Sequence, residues 1–235
     1  MSSLGDRPMV SGSDTSKQTV AGLSVSQAVA GRRSCRSYND CSLPDGVLDA
    51  LLDRARRTPS AGNSQGVEFL VLEGQEQTSA YWDATLSEPA RSRFPWPGLL
   101  RAPALVVIYG DTERYLKRYS ESDKASTDLG KGIEKWPVPY WYVDAAFAAL
   151  ALQLLAVESG FGTCFFGLFG HEETVAKRFG VPAGNRAVGT VSLGYPGIGA
   201  DISSRSVDRG RRDLDEVLHR GHWDVKRDGR SDEVR

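Results

Sequence analysis

Apolar residues in the first part of the chain recur at the spacing of amphipathic helices. One such pattern ends at Gly31 and predicts a short helix. A longer pattern at 47–55 predicts a second helix, which must end before Pro59 because proline disrupts a helix interior. Residues 42–45 have the spacing of a capping box and are expected to begin this second helix. Each helix therefore delivers the chain into a connecting segment.

Four short apolar runs have the length of β-strands. They lie at 67–72, 104–109, 162–167 and 187–193. Helical patterns separate them, around Trp82, from 140 to 160 and at 171–179, while 89–97 is expected to be a loop. Strands and helices that alternate in this way predict α/β layering.

The segment from 140 to 160 is almost wholly apolar and predicts a helix that must be covered on most sides. It is therefore expected to be a central helix or an interface helix. The preceding segment, 111–139, is polar although it carries Tyr115, Tyr119 and Trp136. It is expected to lie outside the core as a lid.

Length and composition favour one globular domain. With 235 residues, of which 40% are apolar, the chain can bury one substantial core. Residues 1–22 are rich in Ser, Gly, Thr and charged side chains and are predicted to form a flexible leader. Residues 224–235 are predicted to form a disordered tail. The folded domain is therefore expected at 23–223.

The balance of charges and the few cysteines and histidines restrict the function. There are 29 Lys and Arg residues against 30 Asp and Glu, so the net charge of -1 gives no general attraction to nucleic acid or to an anionic membrane. No run reaches the roughly 18 apolar residues of a membrane span. The three cysteines and three histidines lack metal-ligand spacing. We therefore predict a cytoplasmic protein without a metal that acts on a small molecule.

Two motifs carry the candidate chemistry. The first, Arg32-Arg33-Ser34-Cys35-Arg36, places three guanidinium groups and a hydroxyl within five residues, which suits phosphate oxygens. The second, Pro59-Ser60-Ala61-Gly62-Asn63-Ser64-Gln65, is a loop of small residues with two amides, which suits the polar edge of a flat ring held close to backbone. Together they indicate a phosphorylated aromatic cofactor.

With these motifs the chain resembles the nitroreductase family of FMN-dependent oxidoreductases, from about Val25 to Trp223. Further matches are Asp144-Ala145-Ala146, Gly160-Phe161-Gly162-Thr163-Cys164, Phe179-Gly180-Val181-Pro182, and Leu193-Gly194-Tyr195-Pro196 before a basic segment. The resemblance implies an α/β fold of the α+β sandwich type, with a four-stranded, mainly antiparallel central sheet flanked by helices. It also implies an intertwined homodimer with two FMN sites at the subunit interface.

The resemblance further implies which residues bind each part of FMN. Arg32 and Ser34 would hold the phosphate and ribityl chain with Arg33 beside them, and Arg36 would approach the N1 and C2 carbonyl edge. Asn63 would bind the pyrimidine edge in a pocket lined by Pro59, Ser60, Ala61 and Gln65, some of them from the partner subunit. The backbone of Phe166 and Gly167 would face N5. Arg209 and Arg211 would reach the phosphate, with Arg205 and Arg212 as rivals.

The implied reaction is a ping-pong transfer of hydride from NADH or NADPH through flavin N5 to a small acceptor such as a nitroaromatic or a quinone. Because the flavin carries the redox chemistry, no catalytic side chain is named. Cys35 is interpreted as a small buried hydrophobe, and Asp144 as a helix-start residue or a buried hydrogen-bond partner. Two alternatives stay open: a specialised biosynthetic flavin dehydrogenase or oxidase of the same fold, and a flavin- or deazaflavin-binding module without turnover.

The chain departs from the family pattern around the outer pocket. Gln65-Gly66-Val67 replaces the familiar Gln-Pro-Trp, which removes a bulky wall. Phe166 stands where many relatives have an acidic or small residue, so hydrogen bonding at N5 would rely on backbone. The insertion at 113–140 is expected to select the substrate, with an ordinary solvated helix and loop as the open alternative.

Overall fold

A four-stranded antiparallel sheet forms the centre of the fold. In the computed structural model, which describes residues 22–197 and 210–223, the strands are β1 (Val67–Glu73), β2 (Ala104–Asp111), β3 (Gly162–Phe166) and β4 (Asn185–Gly194). Their order is β1-β2-β4-β3, and every neighbouring pair is antiparallel. This confirms the sheet that the resemblance implies. Apart from Gly22, the predicted leader and the predicted tail fall outside the described residues.

Helices cover both faces of the sheet. Those in the described residues are α1 (Val25–Gly31), α2 (Val47–Ala55), α3 (Gly74–Thr85), α4 (Glu88–Arg91), α5 (Thr112–Tyr119), α6 (Tyr140–Glu158), α7 (Glu172–Phe179) and α8 (Leu214–Val217). On one face, α6 packs against β2 around Val106, and α2 packs on α6. On the other, α3 and α7 pack around Val107, because successive side chains of a strand point to opposite faces. The predicted layering is therefore present.

Three local details differ from the sequence predictions. α2 begins after Gly46, whose φ of 73° is left-handed, and it has no side-chain cap, so the capping box expected at 42–45 does not form. The apolar run at 67–72 is typical of a buried strand, but β1 lies at the sheet edge with only Leu72 buried, because it has a neighbouring strand on one side only. The segment predicted as a loop at 89–97 begins inside α4.

Residues 111–140 contribute to a small apolar cluster, contrary to the expectation that this polar segment lies outside any core. Tyr115 is fully buried and Trp136 nearly so, and both pack on Trp141 of α6. The ring of Tyr115 meets those of Trp136 and Trp141 edge to face, at centroid distances of 5.8 and 6.2 Å. The insertion is therefore packed on the fold through its aromatic residues.

The central helix α6 presents an apolar stripe to the outside. Its inner side buries Ala149 and Leu152 against the sheet, whereas Phe147 and Leu150 are 46% and 49% exposed. Of the helices described, it alone is long and apolar enough to cross a membrane by length and composition. Its packing between the sheet and α2 makes it a core helix, as predicted.

Candidate cofactor site

The arginine motif lies along the edge strand β3, directly after α1. The N–H of Arg32 donates to the carbonyl of Ala28 at 2.9 Å and completes the end of the helix. Ser34 then pairs with Thr163 in a parallel bridge, and the N–H of Cys35 donates to the Thr163 carbonyl at 2.8 Å. The backbone of the motif is therefore fixed by β3 at the predicted helix exit.

The guanidinium groups of the motif have different surroundings. Arg33 is exposed and donates through Nη1 to the carbonyls of Ala30 and Arg32, at 2.7 and 2.9 Å. Arg36 lies over the ring of Trp96, 5.2 Å from its centroid, in a cation–π contact. Arg32 is partly buried. The motif thus concentrates positive charge beside β3 and holds one cation, Arg36, on an aromatic surface.

Arg36 and the Phe166–Gly167 segment line the same cavity. Its volume is about 320 Å³, and Trp82 and Trp96 form part of its walls. The ring of Trp82 stacks on that of Phe166, with centroids 5.7 Å apart. A cavity with this volume and these aromatic walls suits a flat ring system. The structure therefore brings together the residues predicted for the N1 edge and the N5 position of a flavin.

The same cavity is lined by Phe169, a residue that sequence reasoning did not single out. Its φ is 52°, and its side chain is 91% exposed. A bulky residue in the left-handed region is strained, and such strain is most often found at functional sites. No pattern in the sequence predicts this conformation. An exposed ring beside the cavity is suited to contact a planar ligand.

The second motif forms a tight loop with three left-handed residues. Gly62, Asn63 and Gln65 have φ angles of 60°, 57° and 50°. The Oγ of Ser60 accepts from the N–H of Gln65 at 2.9 Å, which closes the loop on itself. The side chains of Asn63 and Gln65 are exposed and lie within hydrogen-bond distance of each other, at 3.3 Å. The loop therefore presents two amides from a strained backbone that other contacts must hold.

Asp144 of α6 holds this loop from the inside. Its Oδ2 accepts from the N–H of Ala61 and from the hydroxyl of Tyr115, each at 2.8 Å. The residue is only 2% exposed, so both bonds lie in a low dielectric. Burial first, and then the Asp144 carboxylate, raises the pKa of Tyr115, which keeps its hydroxyl a donor. Asp144 is thus the buried hydrogen-bond partner that the sequence suggested, and α6 begins earlier, at Tyr140.

Aromatic residues of α5 fill the space beside the loop. A Cβ at Gly66 would overlap the ring of Tyr115, and one at Gly62 would lie 2.8 Å from the ring of Tyr119. Arg118 adds a bond from Nε to the Gly62 carbonyl at 2.8 Å. The opening expected from the loss of Pro-Trp is therefore occupied. Tyr115 and Arg118 were not predicted for the site, and the glycines were the only sequence signal of close packing there.

The two motifs are anchored near opposite ends of α6. Asp144, which holds the loop, and Glu158, the last helical residue, are about 21 Å apart at roughly 1.5 Å per residue. Thr163, which holds the arginine motif, lies a short turn beyond Glu158 at the start of β3. Within one chain, Arg36 therefore lies at the same cavity as Phe166 and Gly167. The 60–65 loop is anchored near the opposite end of α6.

The C-terminal arginines are only partly within the described residues. Arg205 and Arg209 fall outside them, Arg211 is exposed, and Arg212 bonds Glu216 from Nε at 3.0 Å. Their contact with a phosphate stays a prediction. In the part of the chain that the structure describes, no group of three or more His, Cys, Asp or Glu side chains is placed to hold a metal ion.

Two curated relatives cover most of the chain. A protein of Archaeoglobus fulgidus, provisionally named NADH dehydrogenase/NAD(P)H nitroreductase, is 26% identical over 196 residues, covering 82% of this chain and 94% of its own. A protein of Thermus thermophilus named NADH dehydrogenase is 25% identical over 196 residues, covering 76% of this chain and 89% of its own. Each similarity therefore covers three quarters or more of this chain.

Solved structures share the fold at low sequence identity. NfrA2 of B. megaterium has a TM-score of 0.65 and 20% identity, covering 86% of this chain and 75% of its own. A nitroreductase family protein of Clostridium novyi has a TM-score of 0.58 and 21% identity, covering 75% and 87%. Residues 29–195 of this chain match the family model described as the nitroreductase family. That range contains the whole sheet and both motifs. The chain therefore belongs to the nitroreductase family of oxidoreductases.

Proposed function

We propose that this protein is an FMN-dependent oxidoreductase that passes electrons from NADH or NADPH to a small acceptor, such as a nitroaromatic or a quinone. The observation that carries this proposal is the cavity shared by Arg36, Phe166 and Gly167. This cavity combines the cation of Arg36, for the N1 edge of the flavin, with the backbone of Phe166 and Gly167, for N5. The names of the A. fulgidus and T. thermophilus relatives support NADH or NADPH as the reductant.

The phosphate end of FMN fits the arginine motif. Arg32 and Ser34 would hold the phosphate and ribityl chain, because a guanidinium fork and a hydroxyl match phosphate oxygens. Arg33, bonded to the end of α1, would add positive charge beside them. Arg209 and Arg211 would contribute from the C-terminal segment.

The ring end fits the cavity and the loop. Arg36 would lie at the N1 and C2 carbonyl edge, where a fixed cation stabilises negative charge. The backbone of Phe166 and Gly167 would face N5, and Asn63 would bind the pyrimidine edge in a pocket lined by Pro59, Ser60, Ala61 and Gln65. When bound, FMN would supply the two-electron chemistry. The protein residues bind and orient it, and no side chain is assigned a proton transfer.

A homodimer with shared sites would join the two motifs. Within one chain they are anchored near opposite ends of α6, so a second copy would bring its 60–65 loop to the arginine motif of the first. The exposed stripe of Phe147 and Leu150 supports such an interface, because large apolar side chains are usually covered. The site would then be incomplete in a monomer.

The cysteines fit a reducing, cytoplasmic location. Cys35, Cys41 and Cys164 form no disulfide. Cys35 is partly buried and donates from Sγ to the Ser37 carbonyl at 3.1 Å. This supports its interpretation as a packing residue with no part in the chemistry.

Anaerobic reduction of the purified protein tests the proposal. The protein should be yellow or should take up added FMN, and stopped-flow mixing with NADH or NADPH should bleach the flavin absorbance. Menadione or a nitrofuran should then restore the absorbance and sustain NAD(P)H consumption.

The outcomes separate the alternatives. A protein that stays colourless with added FMN contradicts the proposal. Bound flavin that neither NADH nor NADPH reduces would instead favour a biosynthetic dehydrogenase or oxidase of the same fold. Flavin that binds but supports no turnover with any acceptor would favour a binding module.

A further inference from the structure

We infer that Asp144 and Tyr115 are positioning residues that set the geometry of the flavin-binding loop at 60–65, an inference that rests on the proposed function. Neither residue would touch FMN. They act through the N–H of Ala61, which donates a hydrogen bond to the Asp144 carboxylate. The insertion that carries Tyr115 would therefore act on the cofactor through this loop.

The loop needs such support because its backbone is strained. Asn63 and Gln65 adopt left-handed conformations that side chains other than glycine rarely take. Strained residues persist only where the surroundings over-determine them. The side chains of Asn63 and Gln65 are exposed, so the restraint must come from contacts to the loop backbone.

Two independent contacts supply that restraint. Inside, the Asp144 carboxylate bonds the Ala61 N–H and is itself oriented by the Tyr115 hydroxyl, both at 2.8 Å. At the surface, the Nε of Arg118 bonds the Gly62 carbonyl at 2.8 Å. Its Nη1 and Nη2 bond the two carboxylate oxygens of Asp123 at 2.8 Å, and Nη1 also bonds Oε2 of Glu121 at 3.0 Å. The loop is therefore tied at consecutive residues from two directions.

Consequences for the cofactor follow from the loop's proposed role. Hydrogen bonds to the pyrimidine edge of a flavin stabilise the negative charge of its reduced form and so affect its midpoint potential. Such bonds weaken steeply when distances and angles change. A loosened loop should therefore lower FMN affinity and shift the flavin midpoint potential together.

Tyr115→Phe tests the inference, because it keeps the ring beside Gly66 and removes only the donor to Asp144. We expect the Kd for FMN to rise about tenfold, because a loosened loop must be ordered when the cofactor binds, at roughly the cost of immobilising one side chain. We also expect a measurable change in midpoint potential and in the flavin absorption maxima.

Thr112→Val is the matched control. Thr112 is buried on the same helix, and its Oγ1 donates to the Gly184 carbonyl at 2.9 Å, away from the loop. The control should lose thermal stability without a change in Kd or potential. The inference is overturned if Tyr115→Phe leaves both unchanged, or if Thr112→Val changes them equally.

Arg118→Met provides a second variant if Tyr115→Phe does not fold. It lies nearer the surface and removes the bond to the Gly62 carbonyl, so Kd and potential should change in the same direction as for Tyr115→Phe. An unchanged Kd and potential would mean that restraint of the loop does not set FMN binding, which would overturn the inference. Wild-type protein that binds no FMN would instead contradict the proposed function itself.

Discussion

The 60–65 loop and the arginine motif at 32–36 are held in different ways. The loop is fixed by a buried carboxylate, by the aromatic side chains of α5 and by Arg118. The arginine motif is held mainly through its backbone, which pairs with β3 at Ser34 and Cys35, and through the contact of Arg36 with Trp96, while Arg33 is exposed. The 60–65 loop therefore has its hydrogen-bonding groups held in place, whereas in the arginine motif mainly the backbone is held in place.

This difference matches what the two ends of a phosphorylated cofactor require. A phosphate is recognised largely by charge, which long arginine side chains can deliver from several positions. The edge of a flat ring is recognised by donors and acceptors at fixed angles, so its loop must be rigid. We therefore expect mutations in the loop's supports to affect stability and binding together, and mutations in the arginines to affect binding alone.

Asp144→Ala should have the largest effect, because it leaves the Ala61 N–H and the buried Tyr115 hydroxyl without their acceptor. Each unpaired donor costs about 1–3 kcal/mol, so the free energy of unfolding should fall by about 2–6 kcal/mol. Urea denaturation measures this loss. FMN binding should weaken in the same variant.

Asp144→Asn is the control for this prediction, because its amide oxygen can still accept both bonds. It should recover most of the stability and the FMN affinity that Asp144→Ala loses. If the asparagine and alanine variants are equally impaired, the two hydrogen bonds are not the cause.

Phe147→Glu should separate the two halves of the proposed shared site. A charge in the middle of the apolar stripe of α6 should weaken a dimer by about 3 kcal/mol, the size of an interface hot spot. Sedimentation velocity should show monomers, and FMN affinity should fall with the loss of the dimer.

Ile133→Glu is the matched control, since Ile133 is 42% exposed but lies in the insertion rather than on α6. It should leave the oligomeric state unchanged. A Phe147→Glu protein that remains dimeric, or a monomer that binds FMN normally, would contradict the shared site.

Arg32→Gln should weaken FMN binding without changing stability. A charge-assisted hydrogen bond contributes about 1.5–3 kcal/mol, which corresponds to a Kd higher by roughly 10- to 150-fold. Isothermal titration at two salt concentrations should also show a weaker dependence on salt than in the wild type. Arg33→Gln should have a smaller effect, because Arg33 already bonds the carbonyls at the end of α1. Equal effects at both positions would mean that the motif acts only through total charge.

The same contrast explains how much could be predicted from the sequence. The arginine motif is one contiguous string at a helix end, and local patterns identify both the string and the helix. The support of the loop is not local: Ala61 and Asp144 are 83 residues apart in the chain. An insertion of polar composition gave no sign that Tyr115 would occupy the space at Gly66.

Other elements show the same limit. The apolar residues of α6 predicted a covered helix, but a helix that is apolar all round does not reveal which side faces the sheet. The capping box at 42–45 failed because Gly46 can adopt a left-handed conformation and start the helix itself. Alternation of strands and helices, by contrast, depends only on local patterns and was confirmed.

Asp123→Asn should have the smallest effect, and it should depend on pH. The hydrogen bond from Arg118 holds the pKa of Asp123 below its usual value. Its contribution to stability is therefore present above the unfolded pKa of about 3.9 and is lost as the pH falls through the lower folded pKa. The difference in Tm between wild type and variant should narrow as the pH falls from 7 to 3. Asp53 and Asp128, whose pKa values are lowered by Arg57 and Lys131, titrate alike in both proteins, so they cancel in this difference. A difference that stays constant to pH 3 would mean that the Asp123 carboxylate does not help Arg118 to hold the loop.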